Sequence, residues 1–370
     1  MITTVVIFLI VLGVLVFVHE FGHFIAAKKM GMKVEEFGLG FPPKIISKKG
    51  KDGVSYSLNW IPLGGFCKIK GEDGESKDDS DSFASKKAWR RAIVLVAGVI
   101  MNFLLCAVLL SFGFLVGLPQ AVDQQALDQG IVKDHKVQVV SVLDNKPAKA
   151  AGIEVGDVLV AIDGQNIKSV NALKEYANGK IGQQVNYQIQ RGKETLNKDI
   201  QIVEIEPGKG GIGVGLVETG IVSYPIHLAI WNGFKLTGIL TGEFVGAFAN
   251  ILKNLIIGKP LGVQVSGPVG IAVLTGQVAK LGFIYILQFT ALLSLNLAII
   301  NFIPFPALDG GRILFLVIEK IRSKPVNQKI EGLIHTIGFS LLMILIIIIT
   351  FQDLIRYSHF FSNLISNIVQ

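Results

Sequence analysis

His19-Glu20-Phe21-Gly22-His23 is the stretch on which the reading of this chain turns. His19 and His23 are four apart, so on a helix they lie one turn above each other on one face. That spacing lets one Zn²⁺ take both imidazoles, with Glu20 beside them as general base. The flanks say where this happens. Residues 1–18 contain no charged side chain, and the apolar run continues through Phe24, Ile25, Ala26 and Ala27 to Lys28-Lys29. A run of this length reads as a membrane span. No basic segment precedes it, and cleavage near Ala26-Ala27 would detach the motif, so the expectation is a permanent span and not a signal peptide. Two histidines and a glutamate in hydrocarbon are costly without partners and a role.

Composition agrees. Of 370 residues, 51% are hydrophobic and 17% charged, against about 25% charged in soluble domains. A polytopic membrane protein with one soluble module is expected. The formal charge of +7 fits basic loops beside spans and calls for no nucleic acid. The two cysteines, Cys67 and Cys106, offer no disulfide framework.

Working outward, residues 1–29 form the first span, and 30–91 a cytoplasmic-side loop. Within that loop Val54-Ser55-Tyr56-Ser57-Leu58-Asn59-Trp60 and the turn Pro62-Leu63-Gly64-Gly65 read as a hairpin able to enter the bilayer edge. Residues 92–118 form the second span, with Asn102 read as an amide that packs helices together. From 125 to 206 the pattern changes to alternating strands around Pro147-Ala148-Lys149-Ala150-Ala151-Gly152-Ile153-Glu154-Val155-Gly156-Asp157 and Ile162-Asp163-Gly164. These residues resemble the centre of a PDZ domain, which binds an extended peptide or C-terminus; no carboxylate loop is evident near Gly130. Residues 207–265 hold an apolar stretch, 221–258, interrupted by Lys235, Glu243 and Lys253, and are read as an outer-face amphipathic or re-entrant helix. Ser266-Gly267-Pro268-Val269-Gly270 is a turn entering the third span, 281–303. Residues 304–329 hold Pro304-Phe305-Pro306-Ala307-Leu308-Asp309-Gly310-Gly311 and a cytoplasmic loop. The fourth span is 330–353, and 354–370 is an extracytoplasmic tail.

Lysine and arginine in 28–91 and 312–329 put both loops in the cytoplasm. The termini and the PDZ-like module then lie outside, with His19 and His23 near the cytoplasmic face. Asp309, on a backbone broken by proline and glycine, reaches the same face only if 221–258 does not cross. It is the third-ligand type that HExxH lacks.

HEFGH, the PDZ-like insert and NFIPFPALDGG, with Pro62-Leu63-Gly64-Gly65 and Gly267-Pro268-Val269-Gly270, resemble the site-2 protease family of intramembrane zinc metalloproteases. The four-span, PDZ-bearing bacterial RseP type fits best, though this chain has one PDZ-like module where some relatives have two. The resemblance implies one Zn²⁺ per chain held by His19, His23 and Asp309, with Glu20 activating water. It implies that Asn296, Asn301 and Pro304 handle an unwound substrate strand beside a hairpin near 54–70. The expected fold is a polytopic α-helical membrane protein of about four transmembrane helices, with a membrane-associated β-hairpin region and an inserted extracytoplasmic PDZ-like α+β domain. The expected partners are single-pass transmembrane substrates, such as anti-sigma factors or remnant signal peptides, a peptide at the PDZ-like module, and the lipid of a bacterial inner (plasma) membrane. Three rivals are weaker: a membrane-anchored PDZ adaptor with an inactive metal site, which has no need of Glu20; a transporter, for which the chain shows no paired inverted repeats; and a soluble zincin taking Glu35 or Glu36 as third ligand, which the apolar flanks oppose.

Overall fold

The computed structural model describes residues 2–74, 76–192, 194–259, 266–324 and 326–357. Residues 260–265 and most of the expected tail, 358–370, lie outside the described residues. The chain forms two compact units, Met1–Ser111 with Asn232–Gln370, and Phe112–Trp231.

Helix α1 (Ile2–Lys29) carries HEFGH and ends on Lys28 and Lys29, cations that suit the carbonyl-rich end of a helix. Strands β1 (Val34–Lys49) and β2 (Ser55–Ile69) follow as an antiparallel pair with a folded-back register. Residues 37–39 pair both with 65–67 and with 56–58, while 44–49 pair with 55–59. Two long strands thus curl into four segments, and among the described pairings 65–69 is an edge. Helix α2 (Ala88–Val116) meets α1 where both are small. A Cβ on Gly22 would strike the Ala97 carbonyl, and one on Gly98 would strike both imidazoles of HEFGH. Small residues let helix backbones approach closely in lipid.

The second unit contains β3 (Leu118–Ala121), α3 (Gln124–Gln129), β4 (Ile131–Val142), α4 (Pro147–Ala150), β5 (Val158–Ile162), β6 (Gln165–Asn166) and α5 (Val170–Asn178). It continues with β7 (Gln184–Arg191), β8 (Glu194–Gln201), β9 (Val203–Glu206), β10 (Lys209–Gly211) and β11 (Val214–Ser223). The main sheet runs β3-β11-β4-β5-β7-β8, and Val139, Leu159, Leu173, Tyr187 and Ile189 fill its core. The PDZ-like signature has a physical origin. Gly152 and Gly156 have φ of +74° and +100°, which glycine adopts without strain. Between them and β5, the buried Asp157 accepts from Arg191 at 2.7 and 2.8 Å and from the Glu154 amide at 2.9 Å. The guanidinium holds the Asp157 carboxyl below the usual carboxylate range. One expectation needs correction. The module does not end at 206, and 207–265 does not begin as helix, because β11 pairs between β3 and β4. Gly215 and Gly220 interrupt the alternation of that strand, and its partners lie far back in the chain.

Helices α6 (Ile226–Ile256), α7 (Pro268–Leu281), α8 (Phe283–Phe302), α9 (Asp309–Arg322) and α10 (Gln328–Arg356) complete the chain. The Gly267-Pro268-Val269-Gly270 turn does not enter the third span directly; it opens α7, and Gly282 at φ +118° separates α7 from α8. Asp353 on α10 accepts from the Gly267 and Gly270 amides at 2.9 and 2.7 Å, giving α7 an N-terminal cap from another helix. The expected loop after Asp309 is largely the amphipathic α9, with Lys320 and Arg322 in its last turn. Among the described residues, α1, α2, α6, α8 and α10 are long and apolar enough to cross a membrane.

Candidate active site

His19 and His23 are buried on α1, and α2 fixes both rings with one stripe spaced by four residues. The Val94 carbonyl lies 2.8 Å from His23 Nδ1. A carbonyl only accepts, so Nδ1 carries the ring proton and Nε2 offers a lone pair. Gly98 leaves space for the rings. The Asn102 amide lies 3.3 Å from His19 Nδ1, and its Oδ1 is buried with no hydrogen-bond partner among the described residues. Turning the amide half a revolution resolves both observations: Oδ1 then accepts from His19 Nδ1–H, and His19 Nε2 is also left with its lone pair. Ser294 of α8 donates to the Asn102 carbonyl at 2.8 Å, tying that stretch of α2 to α8.

Asp309 arrives at the first turn of α9, and the two residues after it pack so closely on the preceding turn that both must be glycine. A Cβ on Gly310 would meet the carbonyls of Phe302 and Ile303, and one on Gly311 the carbonyl of Phe305. Asp309 Oδ2 lies 3.1 Å from His19 Nε2 and 3.3 Å from His23 Nε2, and the two Nε2 atoms are 3.2 Å apart. Tetrahedral zinc with bonds of about 2.05 Å needs ligand atoms about 3.3 Å apart. Asp309 Oδ2 is buried with no hydrogen-bond donor among the described residues. Three lone-pair atoms converging this closely, with neither ring nitrogen free to donate, suit a cation. The residues present fit zinc.

Glu20 follows His19 on the same turn, half-buried, and the Cys67 backbone N–H reaches its carboxylate. Cys67 belongs to the 65–69 edge of β2, which runs past α1 with Gly65 packed near Val16 and Glu20. Asn301 Nδ2 is 3.5 Å from His19 Nε2. Asn296 stands apart from the triad. It lines an apolar cavity of about 360 Å³ with Val11, Leu15, Gly64, Pro268 and Leu297. Pro304 is exposed, in the turn between α8 and Asp309. Glu35 and Glu36 pair with Lys68 and Lys44 on the hairpin; neither joins the triad. Asn102, read from the sequence as packing, is the site residue that reading missed. Its signal is the spacing of Gly98 and Asn102 by four, which matches that of the histidines.

In the second unit a cavity of about 590 Å³ lies between α5 and β11, lined by Leu173, Lys174, Ala177, Val214 and Leu216. The glycine-rich stretch beside it is 210–213, not the neighbourhood of Gly130.

HExxH on a helix with a carboxylate from a distant turn is metallopeptidase chemistry, and the helices that carry it here have membrane length; the class is an integral-membrane metallopeptidase. The chain belongs to peptidase family M50, whose model matches residues 7–345. Zinc metalloprotease RasP of Geobacillus kaustophilus is 30% identical, over 95% of this chain and 97% of its own. RasP of Oceanobacillus iheyensis is 31% identical, over 96% and 99%. A Clostridium perfringens protein provisionally named a zinc metalloprotease is 37% identical, over 94% and 97%. Among solved structures, the PDZ domain of an SdrC-like protein from Listeria monocytogenes is 34% identical over 22% of this chain and 85% of its own, with a TM-score of 0.21. The chain is thus a polytopic membrane protein and a zinc metalloprotease that works within the membrane.

Proposed function

We propose that His19, His23 and Asp309 hold one Zn²⁺, and that Glu20 serves as general base in cutting a peptide bond within the transmembrane segment of single-pass proteins. The convergence of the three ligand atoms within 4.8 Å carries this reading. Zinc bound there supplies a Lewis acid for the scissile carbonyl and makes water a stronger acid. Glu20 takes the proton of the attacking water and passes it to the leaving amine, while the Cys67 N–H orients its carboxylate. A membrane helix must unwind before it is cut, and its freed backbone groups then need partners. The 65–69 edge beside Glu20 offers them by strand addition. Asn301, near His19, and Asn296, in the apolar cavity, supply side-chain hydrogen bonds to the same strand, and Pro304 shapes the turn next to it.

The site sits towards the cytoplasmic face of a bacterial inner (plasma) membrane, with both termini and the PDZ-like domain outside. Lys28 and Lys29, in the last turn of α1 beyond His23, support this orientation, as do Lys320 and Arg322 in the last turn of α9, at the end away from Asp309. Parity supports a non-crossing α6. His23 and Asp309 meet, so α1 and α8 run the same way through the bilayer, and α2 alone returns the chain between them. Helix α6 also has the lowest mean hydropathy of the five long helices. Exposed Ile45, Ile46, Leu58 and Trp60 on the hairpin suit burial in lipid. In the PDZ-like domain, residues 214–217 pair with β4 on one side only among the described pairings, and that free edge facing α5 is where an extended peptide or C-terminus adds. Substrates such as anti-sigma factors or remnant signal peptides fit a single helix presented from the bilayer.

Zinc content tests the assignment. The purified chain should carry one zinc, and His19→Ala, His23→Ala and Asp309→Ala should carry none; an Asp309→Ala protein that keeps its zinc removes Asp309 from the ligand set.

A further inference from the structure

The turn that presents Asp309 is gripped by α10. Ala307 has φ +81°, a left-handed conformation that costs any residue with a Cβ and that glycine enters freely. An alanine held there must be held by its surroundings. Its N–H donates to His335 Nδ1 at 2.9 Å. One turn further along α10 is Gly338, where a Cβ would lie 2.7 Å from the Pro306 carbonyl oxygen. One face of α10 therefore engages Pro306 and Ala307 twice, by a hydrogen bond and by a close approach that tolerates no methyl. The ring of His335 is itself seated against Phe315 of α9, with centroids 5.4 Å apart.

We propose that His335 and Gly338 form a clamp that sets the left-handed turn at Ala307 and so aims Asp309 at the two histidines. The inference rests on the reading of Asp309 as a metal ligand. Released from the clamp, Ala307 relaxes towards the ordinary regions of backbone space, and the peptide rotation swings the start of α9. Zinc–ligand distances in a formed site fall within about 0.2 Å of their standard values, so a swing of this kind weakens the hold of Asp309 on the metal. His335 touches neither substrate nor ligand; it is a positioning residue. A solvent-exposed loop would have water as the acceptor for the Ala307 amide, but at membrane depth the acceptor must come from protein.

The test is zinc affinity, measured by competition with a chromogenic chelator on the full-length protein in detergent. His335→Leu should bind zinc about tenfold to a hundredfold more weakly, the range for lost outer-shell support. His335→Asn, whose Oδ1 can accept the same N–H, should stay within about threefold of wild type, well short of that range. The decisive variant adds Ala307→Gly to His335→Leu. Glycine removes the strain, so about fivefold or more of the lost affinity should return; a loss that Ala307→Gly does not relieve would overturn the clamp, as would wild-type affinity in His335→Leu. If His335→Leu does not accumulate, Gly338→Ala gives the same readout, and unchanged affinity there is equally fatal. Asp309→Asn separates the two claims. Wild-type affinity in that variant refutes the ligand reading, whereas loss there with none in His335→Leu refutes the clamp alone.

Discussion

His23 Nδ1 lies 2.8 Å from the carbonyl oxygen of Val94, across the closest approach of α1 and α2. A backbone carbonyl in a helix is as fixed an acceptor as a protein offers, and it decides which nitrogen of His23 is free. The same crossing leaves no spare volume at Gly98. Gly98→Ala should lower zinc occupancy and destabilise the protein by about 1–3 kcal/mol, as overpacking does. Metal analysis beside a thermal melt reads both.

Asn102 does for His19 what Val94 does for His23. Asn102→Leu removes the acceptor and should weaken zinc binding by about tenfold to a hundredfold. Asn102→Asp keeps an acceptor for Nδ1–H and should bind close to wild type. Equal affinity in the leucine and aspartate variants would return Asn102 to a packing role. Chelator competition distinguishes the cases.

Asp157 in the PDZ-like module predicts a pH dependence of a definite sign. Arg191 lowers its pKa in the folded state, so the stabilisation is present above the unfolded value of about 3.9 and is lost as pH falls through the lower folded value. Asp157→Ala should cost about 2 kcal/mol at neutral pH, the scale of hydrogen bonds to a charged group. The deficit should shrink below about pH 4. Amide exchange in β5 and β7 of the intact protein, wild type beside variant at both pH values, measures it; a deficit that grows on acidification has the wrong sign.

Much of this is legible in the sequence alone. HEFGH and its apolar flanks announce α1, the paired glycines around Asp157 announce the PDZ-like turn, and the broken backbone at Pro304 to Gly311 announces Asp309. What stayed hidden depends on contacts between distant residues. β11 looks apolar and glycine-rich until β3 and β4 are beside it. The amphipathic α9 reads as loop in the sequence because the basic residues at its end dominate the pattern. Asn102 and His335 sit within apolar spans, where a polar side chain signals a partner without naming it. Val94 is beyond reach of any side-chain pattern, since its contribution is a backbone carbonyl.

The central claim is that Glu20 activates water at a zinc site inside the membrane. Cleavage of a single-pass model substrate by the reconstituted protein, wild type beside Glu20→Gln, with fragment masses and zinc content, tests it most directly. The account predicts a cut within the substrate's transmembrane segment by wild type, and a rate lower by about a hundredfold or more in a Glu20→Gln protein that still holds its zinc. Full activity in that variant, or a cut outside the membrane segment, would contradict it.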